Sequence, residues 1–269
     1  EGNVTTLGRG GGDYSATLIG AALGADEVCI WTDVNGILTA DPKLVPEART
    51  LPEISYAEAV DIATFGPEIL HPRALTPLIE QNIPLAIRDV LRPSHPGTRI
   101  VAEAQPSEHA AHTIISAGGL SLLGVAASPG TTGGWSPELA ARALARLSDS
   151  GVEVLNFAQS FSERSLTVTV RTVDAAFARE CLRAAYRSEH SGAEGRDISS
   201  ALPISLVAVI SAGSNNGGLA PQILATLGRV GAHVLAFAQG ASSAHVSFLL
   251  PEPEVDGVVR GLHHDLRLG

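Results

Sequence analysis

Gly151-Val152-Glu153-Val154-Leu155-Asn156-Phe157-Ala158-Gln159 returns 80 residues later as Gly231-Ala232-His233-Val234-Leu235-Ala236-Phe237-Ala238-Gln239. An internal repeat constrains a fold more than one motif does, because both copies must build the same unit. Upstream, Leu139-Ala140, Leu144-Ala145 and Leu147 recur at the same offset as Leu219-Ala220, Leu224-Ala225 and Leu227, at helical spacing. Downstream, residues 165–170 and 245–250 read as strands, each followed by an amphipathic helix over 174–187 or 252–264. Each copy therefore reads strand, helix, strand, strand, helix. That is the β-α-β-β-α plan of a small ferredoxin-like domain, with a sheet on one side and helices on the other. The copies span 113–190 and 201–269, and the Ser-, Gly- and charge-rich run 191–200 reads as the linker between them. Gln159 and Gln239 end the same Phe-Ala-Gln triplet in both copies. A glutamine offers both a donor and an acceptor to a ligand. A surface residue ending a strand is the alternative for one copy, but retention in two diverged copies favours a shared role in ligand contact or interface.

Residues 1–104 are built differently. Gly8-Arg9-Gly10-Gly11-Gly12-Asp13 runs into an amphipathic segment, Tyr14 to Leu23, stopped by Gly24. Consecutive glycines let a ligand approach the main chain. A helix entered from such a loop points free N–H groups and a positive dipole end at an anion. Arg9 adds a planar cation there. A plain turn before a core helix is an equal reading of the loop alone, which is neither G-x-G-x-x-G nor a Walker sequence. An apolar Val4 to Leu7 strand precedes the loop and Val28 to Val34 follows the helix, which makes a β-α-β unit with a parallel sheet. Thr32 and Asp33 end the second strand, where open α/β sheets bind ligands, although Asp33 could equally cap the next turn. Thr39 to Lys43 is a turn carrying a cation. Ser55 and Glu58 form a capping box for a helix that ends at Gly66-Pro67. Pro72 suits the first turn of the next helix, ending near Asn82, and His71 at its entrance either faces a ligand or donates to a carbonyl. Residues 83–88 and 98–101 read as closing strands, and 105–112 as a linker.

Composition narrows the function classes. Hydrophobic residues make up 45% and charged residues 17% of 269, which describes a soluble globular chain. A formal charge of −10 argues against a nucleic-acid or polybasic membrane surface, so any phosphate site must be local. Cys29 and Cys181 show no metal or disulfide spacing, which fits a reducing, cytoplasmic setting. No signal peptide or apolar run of membrane length is present. The chain contains no Met and opens in what reads as the middle of a domain, so a piece of a longer protein is expected.

Three segments carry a resemblance. Gly8 to Ala16 resembles the G-R-G-G-S-D-Y-S/T-A loop of aspartate kinases. Residues 31–43 resemble their W-T-D-V-x-G-x-x-T-x-D-P-R/K segment, and residues 65–73 their F-G-x-x-V/L-L-H-P-R segment. Paired ACT domains after such a kinase portion complete that family's layout over essentially the whole chain. The resemblance implies Mg²⁺-ATP-dependent phosphorylation of the L-aspartate side chain, for lysine, threonine, methionine and isoleucine synthesis. It implies Arg9, Asp13 and His71 as catalytic residues, with Arg9 on a substrate carboxylate and Gly10, Gly11 and Gly12 beside the phosphates. Thr32, Asp33, Leu38, Lys43 and Glu68 would line the ATP site, with no protein metal cluster. Three departures stand out: Gly12 replaces a Ser, Leu38 stands where many members carry Tyr, and Glu68 where many carry Lys. The family's N-terminal K-F-G-G loop is absent, so this chain alone is expected to be inactive. For the ACT pair the resemblance implies an effector, lysine or threonine, at Gln159, Gln239, Phe157 and Phe237. It also implies a homodimer or larger assembly. In the family the second ACT domain is often inserted into the first, so tandem and interleaved arrangements both stay open. A bifunctional aspartate kinase–homoserine dehydrogenase and a non-catalytic amino-acid-sensing subunit are the alternative readings.

Overall fold

The computed structural model describes residues 7, 10–66, 70–105, 111–127, 137–160, 165–187, 196–198, 202–211, 219–239 and 245–269. Two compact units emerge. The first holds Glu1–Ala117, Leu206–Leu249 and Pro253–Gly269, and the second Gly118–Ser205 with Leu250–Glu252. Both ferredoxin-like copies are therefore divided between the units partway along a strand.

The first unit opens with α1 (Gly11–Leu23), entered through Gly10 at φ 70° and closed by Gly24 at φ 60°. The strand expected to feed this loop, Val4 to Thr6, lies outside the described residues. β1 (Val28–Thr32), β2 (Glu53–Ser55), α2 (Tyr56–Phe65), α3 (Pro72–Gln81), β3 (Leu85–Asp89) and β4 (Thr98–Val101) follow. The sheet runs β1-β3-β4-β2. β1 pairs parallel with β3 and β2 with β4, as a helix-linked sheet should. β4 returns antiparallel to β3, so the sheet is mixed rather than parallel throughout. A short turn between the two strands permits that return, whereas a parallel neighbour needs a helical crossover. Ile54, Leu75, Leu78, Leu85, Ile87 and Ile100 are fully buried between this sheet and its helices. The Ser55–Glu58 capping box is formed in full, and Pro72 sits in the first turn of α3. Tyr56 Oη–H donates to the Ile83 carbonyl and ties α2 to the start of the central strand.

The first repeat copy supplies β5 (Ala111–Ala127), α4 (Pro137–Asp149), β6 (Asn156–Ser160), β7 (Ser165–Arg171) and α5 (Ala175–Arg187). After β8 (Arg196–Ile198), the second supplies β9 (Leu202–Ser211), α6 (Leu219–Val230), β10 (Ala236–Gln239), β11 (His245–Pro251) and α7 (Val255–Asp265). Ala111 and His112, expected in a linker, open β5, and β8 lies within the expected linker 191–200. Leu123 and Val125 of β5 are buried while Leu122 and Gly124, which alternate with them, are half-buried, and that alternation extends the strand well past the point where composition changes. In the second unit the rest of β5 pairs with β7, and β7 with β6. Their inner face packs Leu123, Val125, Leu166 and Val168 on Leu147 of α4 and Leu182 of α5.

The repeat is exact in backbone chemistry. Phe157 pairs with Val168 and Gln159 with Leu166; Phe237 pairs with Phe248 and Gln239 with Val246. Gly151 (φ 77°) and Gly231 (φ 71°) end α4 and α6 in the left-handed region, which glycine enters without a Cβ clash. The next residue's N–H then reaches back to the Leu147 or Leu227 carbonyl at 3.0 Å, a Schellman closure. A short 3₁₀ turn, Thr172–Asp174 or Glu252–Glu254, precedes the last helix of each copy, so those helices start a little later than their apolar pattern implies.

Candidate functional site

The glycine loop and His71 meet. Gly10 caps α1 and His71 caps α3, and a Cβ on Gly10 would lie 2.5 Å from the Cβ of His71. Two helix N-termini therefore converge on one corner, each with first-turn N–H groups that lack helical acceptors. The Gly10 carbonyl accepts from Tyr14 N–H (3.0 Å) and the Gly11 carbonyl from the Ser15 hydroxyl (2.7 Å), so α1 is closed from its first turn. His71 Nδ1 accepts from Arg73 N–H at 3.2 Å, which places the other ring nitrogen away from the helix. A Cβ on Gly12 would meet nothing within 4 Å, so that position is open. Paired helix N-termini of this kind suit an anionic group. Asp13 sits half-buried in the first turn of α1, and burial pushes its carboxyl up from the ordinary value. Arg9 and Glu68 lie outside the described residues.

The second group lies at the strand ends. Thr32 closes β1 and its hydroxyl donates to Asp33 Oδ1 at 3.3 Å, with the Asp33 side chain exposed. Ile37 N–H donates to Thr98 Oγ1 (2.8 Å), and the Leu38 carbonyl accepts from the Thr113 hydroxyl (2.7 Å). Leu38 bridges Thr50 and is half-buried. Lys43 N–H donates to Asp41 Oδ1 (2.9 Å), and its side chain is exposed. The segment is thus pinned along its backbone while Asp33 and Lys43 stay free to meet a solute. Among the described residues, no hydrogen bond or ion pair joins Thr32, Asp33 or Lys43 to the Gly10–His71 corner.

One residue of this region escaped the sequence reading. Asp89 ends β3 directly opposite Thr32, is buried, and accepts from Leu91 N–H at 2.8 Å. With the Asn35 amide nitrogen facing it, Asn35 donates to Asp89 Oδ2 (2.9 Å) and accepts from Arg92 Nη1 (3.1 Å). Asp89 therefore holds the Asn35-Gly36 turn that carries Asp33. The signal was present: a polar pair, Arg88-Asp89, closes an apolar strand just as Thr32-Asp33 does.

In the repeat, Gln159 and Gln239 occupy equivalent strand ends but unlike surroundings. Gln159 Nε2 is buried with no hydrogen-bond partner, whereas Gln239 is exposed. Phe157 is 59% exposed and Phe237 38%. An orphaned buried donor is costly unless something supplies an acceptor.

Comparison with known proteins follows this geometry. The model of the Amino acid kinase family matches residues 1–89. The bifunctional aspartokinase/homoserine dehydrogenase of Haemophilus influenzae is 33% identical over 267 residues, covering 99% of this chain and 32% of that protein. Aspartokinase 1, chloroplastic, of Arabidopsis thaliana is 31% identical over 267 residues, covering 97% of this chain and 45% of that protein. The E. coli aspartokinase III structure in complex with aspartate and ADP has a TM-score of 0.78 at 29% identity, covering 98% of this chain and 57% of that one. Over nearly its whole length the chain is similar to aspartate kinases. It spans about a third to a half of the curated relatives it matches. Similarity to an aspartate kinase runs through the ferredoxin-like copies as well, since the E. coli alignment covers nearly all of this chain. Among the described residues, no helix is long and apolar enough to cross a membrane, and no group of three or more His, Cys, Asp or Glu could hold a metal ion.

Proposed function

We propose that this chain is the C-terminal kinase portion and regulatory pair of an aspartate kinase, which transfers the γ-phosphoryl group of ATP to the side-chain carboxylate of L-aspartate. Residues 1–104 belong to the kinase portion, and 113–190 and 201–269 are the two ACT copies. The observation that carries the reading is the convergence of the α1 and α3 N-termini at Gly10 and His71. Phosphoryl transfer asks a protein mainly for positioning and for charge stabilisation. The N–H groups of Gly11 and Gly12 offer that to phosphate oxygens, and the open Gly12 position leaves room for them. Arg9 pairs with a carboxylate of aspartate, and its side-chain carboxylate oxygen attacks the γ-phosphorus while the bond to the ADP oxygen breaks. Asp13 and His71 flank the transfer; Thr32, Asp33, Leu38 and Lys43 border the nucleotide, with Glu68 beside its phosphates. Asp13 or Asp33 would help hold Mg²⁺, which would supply positive charge beside the phosphates.

Lysine or threonine acts as the feedback effector. The buried, unpartnered Gln159 Nε2 is suited to an amino acid's carboxylate oxygen, and Phe157 and Phe237 flank the two glutamines. The solved structure of E. coli aspartokinase III in complex with lysine and aspartate supports this reading. A homodimer or larger assembly in the cytoplasm goes with this reading. In the protein that carries this chain, Arg9→Ala raises the aspartate KM or abolishes turnover. Unchanged kinetics would remove Arg9 from the site.

A further inference from the structure

Helix α2 presents Glu58, Asp61, Ile62 and Phe65 on one face, at the i, i+3, i+4, i+7 spacing of a single stripe. Each end of that stripe meets a histidine from a ferredoxin-like strand. Glu58 Oε1 lies 3.1 Å from His112 Nδ1 at the start of β5, with both side chains nearly buried at 6% and 9% exposure. Asp61 Oδ2 lies 3.2 Å from His245 Nδ1, the first residue of β11. Phe65 packs edge-on against the same imidazole, with ring centroids 4.7 Å apart. In both acid–histidine contacts the ring nitrogen reaches ion-pair distance without the alignment of a hydrogen bond. Gly66, closing α2, lies against Ile115 of β5: a Cβ there would come within 3.5 Å of Ile115 Cγ2.

The two ends of this helix have different neighbours. His245 is adjacent to Val246, the residue that pairs with Gln239. Helix α2 also packs against α3, which is capped by His71 in contact with Gly10. Glu58 also builds the capping box, accepting from Ser55 N–H at 2.7 Å, so α2 is fixed at its start by the pair that meets His112. A helix behaves as a rigid body over ten residues, so a displacement of β11 at His245 is passed to α3, against which α2 packs. Coupling between sites needs an element on which both act.

We propose that α2, gripped by His112 and His245, is the element that couples the Gln239 strand pair to the Gly10–His71 corner. This deepens the kinase reading and rests on it only for the names of the two ligands. Amino-acid binding at β10 and β11 shifts His245, Asp61 and Phe65 follow, and the N-terminus of α3 moves relative to Gly10. In the first copy the residue equivalent to His245 is Ser165, which has neither ring nor charge, so this route belongs to the second copy.

Hydrogen–deuterium exchange of the 269-residue chain tests the coupling without any ligand. His245→Ala is expected to raise exchange at least threefold at amides 71–76 as well as beside the substitution. Asp61→Asn, which keeps the side-chain shape, gives the same pattern with a smaller amplitude, and it serves if the alanine variant does not fold. Changes confined to 58–66 and 245–249 would overturn the proposal. The second readout is MgADP affinity with and without saturating lysine or threonine. The wild-type affinity changes at least fivefold with one of them, and in His245→Ala the change falls below twofold while both ligands still bind; an undiminished change would overturn the proposal. A chain that binds no nucleotide counts against the kinase reading alone, because the exchange pattern decides the coupling by itself.

Discussion

The two ferredoxin-like copies share a fold, a turn and a strand register, yet their chemistry has diverged at the loop end of one hairpin. On its first strand, Gln159 keeps a buried amide nitrogen without a partner while Gln239 is exposed. On its second, Ser165 of the first copy corresponds to His245 of the second, which meets Asp61 and Phe65 of α2. The repeated part, Gly151 and Gly231 with their back-bonded turns, is what the fold requires. The unrepeated part differs in its contacts: Gln159 of the first copy keeps an unpartnered donor, and His245 of the second meets α2.

This division can be broken at several places. The largest effect is expected at the α2 grip. Glu58→Gln removes one partner of a nearly buried ion pair and should cost about 3 kcal/mol in denaturant unfolding. Burial works against the Glu58 charge, but the His112 ring and the Ser55 hydrogen bonds outweigh it, and the carboxyl is held below its ordinary value. A depressed carboxyl gives stability that is present above the unfolded-state pKa and is lost as pH falls through the folded one. The wild type should therefore lose stability on acidification below about pH 4.5, the ordinary carboxyl value, and Glu58→Gln should lose less over the same window. An identical acid limb in both would remove this pair from the account.

Core truncation compares the copies directly. Leu147→Ala and Leu227→Ala occupy equivalent helix positions, both buried, and each should cost about 3 kcal/mol. A loss in only one copy would mean that the other does not depend on its own helix packing. Next come the shared turns: Gly151→Ala and Gly231→Ala each force a Cβ into the left-handed region and should each cost about 1 kcal/mol in thermal unfolding. Unequal costs would show that the turns differ in spite of their matching back-bonds. The smallest stability effect is expected at the glutamines. Gln159→Ala and Gln239→Ala should each stay within about 0.5 kcal/mol of wild type, with Gln159→Ala the less harmful because it deletes an unpaired donor. Either substitution should relieve inhibition while leaving uninhibited turnover nearly intact. Unaltered inhibition in both variants would sink the effector assignment.

The periodic features were legible from residues alone. Leu139 to Leu147 and its repeat announced their helices, the Ser55–Glu58 box announced the start of α2, and Pro72 announced α3. The contact between Gly10 and His71 was not, because nothing local in either segment encodes a meeting 61 residues apart. The resemblance put both residues in one site, and the positive φ at Gly10 explains why that site needs glycine. Asp89 was missed because a single carboxylate ending a strand looks like any turn residue until β1 and β3 are seen side by side. His112 and His245 were missed for the same reason. Each is a lone histidine in an apolar or Ser-rich run, and only tertiary packing shows that both face acids on one helix.

The most direct test uses the protein that carries this chain, with MgATP and L-aspartate, trapping the acyl phosphate as its hydroxamate in the presence and absence of lysine or threonine. Hydroxamate formation should depend on aspartate and should fall when one of the two amino acids is added. Absence of aspartate-dependent hydroxamate, or turnover indifferent to both amino acids, would contradict the account.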